Sequence, residues 1–275
     1  MEWDPHLGMY PRYLHNRLKR GFGLGVGTAY HPWLRVRDVR SIGTSGNPKG
    51  ITIPRVYHLL SVPERIFFHL LDRQLDVVDI REQFPILHLQ ETLAICSELG
   101  VKHTRHGSYP EPFTLDFVVT RRTPSGPVYQ ARSIKTPEDA VVPEVRLRLK
   151  VEHQWCQQNG IDWKLVDTTE FTRDLLSTLT FMRGWSLQRY VPKMDQADEF
   201  AKMFADSYEA NLPLKELVKT CSRRLKRGYD HCLTEFRYCA WSDRIAVDLT
   251  SKLTLHLPVV LRDGNIGNVR SGTQR

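Results

Sequence analysis

Residues 114–135 read TLDFVVTRRTPSGPVYQARSIK, two runs rich in β-branched and aromatic residues around a Pro-Ser-Gly-Pro turn. Period-two alternation puts Leu115, Phe117 and Val119 on one face of the first run and Asp116 with Val118 on the other. In the second run Ser133 and Lys135 share a face, and Ile134 takes the opposite one. The turn lets the two runs pair as a hairpin, so Asp116 and Lys135 can meet at one end of a sheet. A carboxylate buried among apolar groups is costly unless it is paired, so Asp116 needs a cation. On these residues alone two readings stand: a structural ion pair at the sheet edge, or a divalent-metal site.

The rest of the chain limits the choice. Its 275 residues are enough for two ordinary domains, and 41% apolar with 25% charged residues is the balance of a chain that buries a core. The formal net charge of +8 is spread evenly over residues 1–168 and 169–275. It suits a polyanionic partner without proving one. Five scattered cysteines with no CxxC pair give neither a disulfide framework nor a zinc ribbon, and imply a reducing compartment. The opening MEWDPHLGM lacks the basic and apolar segments of a signal peptide, and no run of apolar residues is long enough to span a bilayer. A soluble, cytoplasmic protein with no membrane partner is expected.

Working outward from the hairpin, residues 9–20 predict a short basic helix, followed by GFGLGVG at Gly21–Gly27. Glycine at every second position cannot be fitted to GxGxxG, so a flexible loop is expected there rather than a phosphate cradle. After a Gly/Ser/Pro-rich loop at Ser41–Gly50, SVPERIFFHLLDRQ predicts a helix capped by Ser61, with Ile66, Phe67, Leu70 and Leu71 as its apolar stripe. A strand at Val77–Leu87, a helix ended by Gly100, the hairpin, a helix over Pro137–Asn159 and a strand at Ile161–Asp167 make up an α/β domain with a mixed sheet. Beyond it, helices are predicted at about 172–182, 195–207, 214–226 and 229–241. RIAVDL and LTLHLPVVL then resemble two short strands, the order expected of a winged helix.

An acid in one strand, then a small or acidic residue, a spacer and a lysine in the next, is the skeleton of the PD-(D/E)xK nucleases, with Ser133 standing where Asp or Glu is usual. More widely, the sequence resembles the TnsA endonuclease family. The resemblance runs through GVGTAYHPWLRV (Gly25–Val36), SVPERIFFHLL, VVDIREQFPIL, LDF (Leu115–Phe117), SIKTPEDA (Ser133–Ala140) and VEHQWCQQNGIDW (Val151–Trp163). It covers most of residues 17–165.

This resemblance implies a restriction-endonuclease-like catalytic domain over residues 1–168 and a mainly helical, winged-helix-like domain for DNA and partners over 169–275. By position Glu64 matches the family's catalytic glutamate, Asp116 its metal-binding aspartate and Lys135 its catalytic lysine. Glu64 and Asp116, with the backbone carbonyl of Ile134, would hold Mg²⁺, for which Mn²⁺ can substitute, while Lys135 would orient or help deprotonate the attacking water. Ser133 departs from the glutamine found in the family. Glu152 falls at a family glutamate and either supports the site or is a solvated helix-face acid.

Arg81 and Gln83 fall in a matching strand, where a structural or DNA-backbone role is expected. The implied activity is hydrolysis of the 5′ ends of a transposon in double-stranded DNA, alongside a DDE transposase, TnsB, and an AAA+ regulator, TnsC. A stand-alone restriction or repair nuclease and a non-catalytic DNA-binding assembly protein are the alternatives. Two basic clusters, Arg17, Lys19 and Arg20 in the first half and Arg223, Arg224, Lys226 and Arg227 in the second, are dense enough to touch phosphates, though each taken alone reads more readily as a solvated helix face.

Overall fold

The chain was analysed as a computed structural model that describes residues 1–39, 45–187 and 190–262; residues 41–44 of the loop expected at Ser41–Gly50 lie outside the described residues. Packing divides it into Met1–Thr169 and Glu170–Arg275. Along the first unit run α1 (His15–Lys19), α2 (Val62–Asp72), β1 (Val77–Pro85), α3 (Leu89–Glu98), a two-residue pair β2 (Arg105–His106) and β3 (Tyr109–Pro110), then β4 (Thr114–Thr123), β5 (Gly126–Ile134), α4 (Pro137–Ala140), α5 (Pro143–Gln158) and β6 (Asp162–Val166). The main sheet has the order β1-β4-β5-β6. The first two pairings are antiparallel and β5 lies parallel to β6, so the sheet is mixed.

The β4–β5 hairpin closes between Thr123 and Gly126, leaving Pro124 and Ser125 as the turn. Alternation in its middle sorts the apolar side chains into two cores, but Leu115, expected on the face of Phe117 and Val119, packs instead in the core of Val118. Phe117, Val119 and Ile134 pack with Phe68 and Leu71 of α2. Val118 and Ala131 pack on the other face with Ile95 of α3 and Val151 and Trp155 of α5. Each such side chain, fully buried, stabilises the fold by about 1.5–3 kcal/mol. The buried stripe of α2 is Ile66, Phe68 and Leu71, whereas Phe67 and Leu70, two of the residues expected on it, are half-buried. Ile66 and Phe68 sit on either side of Phe67, so burial there follows the tilt of the helix against the sheet.

The helix expected over Pro137–Asn159 is two helices. Val142 has extended backbone and precedes Pro143, whose ring disfavours helical conformation in the residue before it. The first basic helix is also shorter than expected, with Pro11 preceding a 3₁₀ turn and α1 only five residues long. In the Gly21–Gly27 segment the glycines are required by geometry. A side chain at Gly23, where φ is +75°, would collide with Pro85 at the end of β1, and one at Gly25 would meet the Ala29 carbonyl. This segment is packed against the sheet end and not a free loop.

The second unit contains α6 (Arg173–Arg183), α7 (Met194–Ser207), α8 (Leu214–Leu225) and α9 (Tyr229–Trp241). Phe200, Phe204, Leu217, Cys221, Phe236 and Cys239 are buried within it. The two strands expected at RIAVDL and LTLHLPVVL occur among the described residues only as isolated bridges, Val247 to Leu261 and Pro213 to Pro258. The first is framed by the Asp248 N–H donating to the Val260 carbonyl and the Arg262 N–H to the Ala246 carbonyl, both at 2.8 Å, and the pairing goes no further: Pro258 has no N–H for a ladder, and the Asp248 carboxylate accepts from the Thr250 N–H at 2.9 Å, turning the chain. All five cysteines are buried thiols. No described helix is long and apolar enough to cross a membrane.

One buried ion pair crosses the first unit. Glu82 on β1 is fully buried and accepts from Arg55 Nη1 at 2.9 Å, from a second Arg55 nitrogen and from the His58 N–H at 2.9 Å. Arg55 also donates to the Ile80 carbonyl and lies 3.7 Å from the centre of the Tyr57 ring. Arg55→Met would leave the carboxylate buried without its cation, at a cost of about 3–5 kcal/mol, whereas pairing it with Glu82→Leu should recover most of that loss. Urea denaturation of the three proteins tests this, and an Arg55→Met variant as stable as the parent would remove the ion pair from the account of stability.

Candidate active site

Glu64 owes its place to a helix cap. Ser61 has extended backbone and its hydroxyl accepts from the Glu64 N–H, while Pro63 occupies the first turn, where no amide donor is needed. The Glu64 carboxylate folds back over the same cap, with Oε1 accepting from Ser61 Oγ at 2.9 Å and Oε2 from the Leu60 N–H at 3.0 Å. A third donor arrives from the sheet, Gln83 Nε2 at 3.3 Å. Glu64 is only 6% exposed. Burial, reinforced by the negative charge of Asp116, pushes its carboxyl up to about 7. Its carboxylate is thus fixed in direction yet short of positive charge.

Asp116 is the third residue of β4, on the face opposite Phe117. Its Oδ2 accepts from the Ile134 N–H at 2.7 Å and from Lys135 Nζ at 2.6 Å. Lys135 also donates to the Ile134 carbonyl at 2.8 Å, and its own carbonyl accepts from Thr168 Oγ1 at 2.8 Å. Burial alone would lower the Lys135 pKa, but the carboxylates of Asp116 and Glu152 outweigh it and hold the ammonium above its usual value. The expected meeting of Asp116 and Lys135 at the sheet end is therefore direct.

Ser133 is buried and turned toward α5, donating to Glu152 Oε2 at 2.6 Å and accepting from Trp163 Nε1 at 3.1 Å. Glu152 is no solvated helix-face acid. It is 2% exposed and paired with Arg148 at 3.1 Å. Burial raises its pKa, and the Arg148 charge opposes that rise. Glu64, Asp116, Ile134, Lys135, Ser133 and Glu152 thus gather at one end of the sheet.

The two basic clusters singled out in the sequence are each of mixed character. Arg17 is committed to the fold, donating to Glu111 at 3.2 Å and lying 4.0 Å from the centre of the Trp33 ring, whereas Lys19 and Arg20 are exposed. In the second unit Arg227 is tied to Glu199 and Glu235, while Arg223, Arg224 and Lys226 are exposed. Arg81 is buried, donates to the Met1 carbonyl at 2.6 Å and pairs with Asp79, a structural position. His103 is likewise structural, bonded to Thr92 and Thr104. Two site features carry no signal in the sequence: the Leu60 N–H donor and the contact of Gln83 with Glu64.

Among the described residues no three His, Cys, Asp or Glu side chains are placed to hold a metal together. The donors at the sheet end are two carboxylates and a main-chain carbonyl, all hard oxygen groups. That set matches Mg²⁺, which keeps several waters and binds through one or two carboxylates plus substrate phosphate oxygens. A cleft of about 1080 Å³, lined by residues that include Trp3, His88, Glu91, Tyr129 and Asp162, contains none of these groups.

Parts of this chain resemble a known family and a known protein. The family described as TnsA-like endonuclease N terminal matches residues 74–168, which include Asp116, Ser133, Lys135 and Glu152. The chain is 36% identical over 148 residues to the Transposon Tn7 transposition protein TnsA of Escherichia coli, an overlap of 54% of this chain and 53% of that protein. The chain thus spans about half the length of that relative. Residues 74–168 are thus similar to a TnsA-like endonuclease N-terminal domain, and about half of the chain is similar to Tn7 TnsA.

Proposed function

We propose that this protein is a metal-dependent DNA endonuclease subunit of a cut-and-paste transposase, hydrolysing the 5′ ends of the element alongside a TnsB-type DDE transposase and a TnsC-type AAA+ ATPase. The observation that carries the reading is the cluster at the sheet end: Asp116 and Lys135 in contact at 2.6 Å, with the buried Glu64 carboxylate bonded to Gln83, the β1 residue that lies across from Asp116. An ion pair alone would explain Asp116 and Lys135. It would not explain why Glu64, from a different element, is buried beside them with only neutral hydrogen-bond donors, since such an arrangement costs stability unless a cation joins it.

Mg²⁺, when bound, would neutralise charge on the scissile phosphate and lower the pKa of the attacking water. Glu64 and Asp116 would hold it with the Ile134 carbonyl. Lys135 would donate hydrogen bonds to the water or to a phosphate oxygen, offsetting the charge that grows there as the reaction proceeds. Water oxygen forms the new bond to phosphorus, the bond to the 3′ oxygen breaks, and that oxygen takes up a proton, leaving a 5′-phosphate and a 3′-hydroxyl. We place this reaction in the cytoplasm. The helices of the second unit we read as a winged-helix-like module for partner and DNA contact, with choice of site coming from the other subunits.

Two outcomes are expected. Asp116→Ala should leave melting temperature and partner binding intact while lowering Mg²⁺-dependent 5′-strand cleavage of transposon-end DNA by roughly 10²–10³-fold or more. Strand-resolved cleavage with purified partners measures it, and full activity would refute the assignment. Replacing Arg223, Arg224 and Lys226 together with alanine should weaken binding to duplex DNA of any sequence and flatten the salt dependence of log K by about 0.9 for each phosphate that the variant no longer neutralises. An unchanged slope would take DNA contact away from this cluster.

A further inference from the structure

Three non-glycine residues among those described have positive φ: Gln83, Lys226 and Asp243. Lys226 caps the C-terminus of α8, and Asp243 lies in the turn after α9, both ordinary places for left-handed backbone. Gln83 is different, with φ at +48° inside β1. Neither glycine nor asparagine, it occupies a conformation that the surrounding structure must enforce, and such residues cluster at functional sites.

Its neighbours show what the distortion achieves. Glu82 pairs with Phe117 and Phe84 with Leu115, so Gln83 lies directly across from Asp116. The Gln83 carbonyl is turned out of the ladder and accepts from the Trp33 N–H at 3.1 Å. The side chain is 2% exposed, and its amide donates to Glu64 Oε2 at 3.3 Å. One residue therefore stands opposite one of the two carboxylates and holds the other. The remaining donors to Glu64, Ser61 Oγ and the Leu60 N–H, belong to its own helix cap and tie it to nothing in the sheet.

We infer that Gln83 is a positioning residue, whose amide locks the Glu64 carboxylate to the sheet so that Glu64 and Asp116 present oxygens to one divalent cation. The chemistry of the amide suits the task. It donates a hydrogen bond without adding charge, so the two carboxylates keep the negative charge that a cation needs, which a lysine or arginine here would cancel. This role rests on the metal-nuclease reading above.

Gln83→Gly separates the role of the side chain from that of the backbone. Glycine adopts φ +48° freely and keeps the carbonyl that Trp33 binds, so the backbone is preserved while the side chain and its amide are removed. With the full-length chain and no DNA, Mn²⁺ binding is followed through the EPR signal of free Mn²⁺, and thermal melting is recorded without metal. We expect Gln83→Gly to melt no earlier than the parent, to bind Mn²⁺ roughly 10–100-fold more weakly, and to need correspondingly more Mg²⁺ for half-maximal cleavage.

Binding of Mn²⁺ equal to the parent's would overturn the inference. Should the glycine variant melt early, Gln83→Asn decides by the same criterion, since asparagine tolerates left-handed backbone but falls one methylene short of Glu64. Asp116→Ala is the control. If it too binds Mn²⁺ like the parent, the metal reading falls, and the role of Gln83 with it; if it loses Mn²⁺ while Gln83→Gly does not, only the role of Gln83 falls.

Discussion

The register of β4 against β5 is the constraint on which the site depends. Phe117 must face α2, because its ring, with Val119 and Ile134, fills that core. Period-two geometry then commits Asp116 to the other face, and a slip of one residue would exchange every side chain between core and site. The pairing of Phe117 with Arg132 sets Asp116 level with Ser133, within reach of the Ile134 N–H and the Lys135 ammonium. The parallel strand β6 fixes the far end, matching Ser133 to Leu165 and Ile134 to Val166. The hydrophobic effect thus sets the positions of charged groups whose own attractions are too dependent on context to set a register.

Glu64, Glu82 and Glu152 are all buried in this unit, and each is compensated differently. Glu82 has Arg55 and a backbone donor, a closed arrangement that asks for nothing more. Glu152 has Arg148 and the Ser133 hydroxyl. The hydrogen bonds to Glu64 come from a serine, a backbone amide and a glutamine, all neutral. Neutral donors orient a carboxylate without satisfying its charge, and burial together with the negative charge of Asp116 raises its pKa. Stability alone would favour an apolar residue there.

Much of this was legible in the sequence because local chemistry announced it. Ser61 followed three residues later by Glu64 reads as a helix start, and alternation in the hairpin reads as two strands with Asp116 and Lys135 at one end. The parts that were not legible depend on tertiary contact. Nothing in IFFHLL says whether Phe67 or Phe68 turns inward, since both fit a helical stripe and only the sheet decides. Arg17 reads as a surface cation, yet the Trp33 ring and Glu111 that claim it lie far along the chain. In LTLHLPVVL the alternation is real, but Pro258 interrupts the ladder. Gln83 stood out only by its place in a matching strand, with nothing to mark its left-handed backbone, because glutamine carries no preference for that conformation and its φ is imposed by what surrounds it.

The departure at Ser133 follows from the same packing. Its hydroxyl is fully buried and lies 2.6 Å from the Glu152 carboxylate, with Trp163 donating from the other side. An acid at position 133 would set a second carboxylate against Glu152 in a space that excludes water, where like charges cannot both ionise without penalty. Serine on β5 and glutamate on α5 are therefore a matched pair. With Arg148 already balancing Glu152, that carboxylate is better suited to supporting Lys135 than to holding a cation. On the reading proposed above, the metal then falls to Glu64, Asp116 and the Ile134 carbonyl, and serine at 133 removes no ligand on which that reading depends.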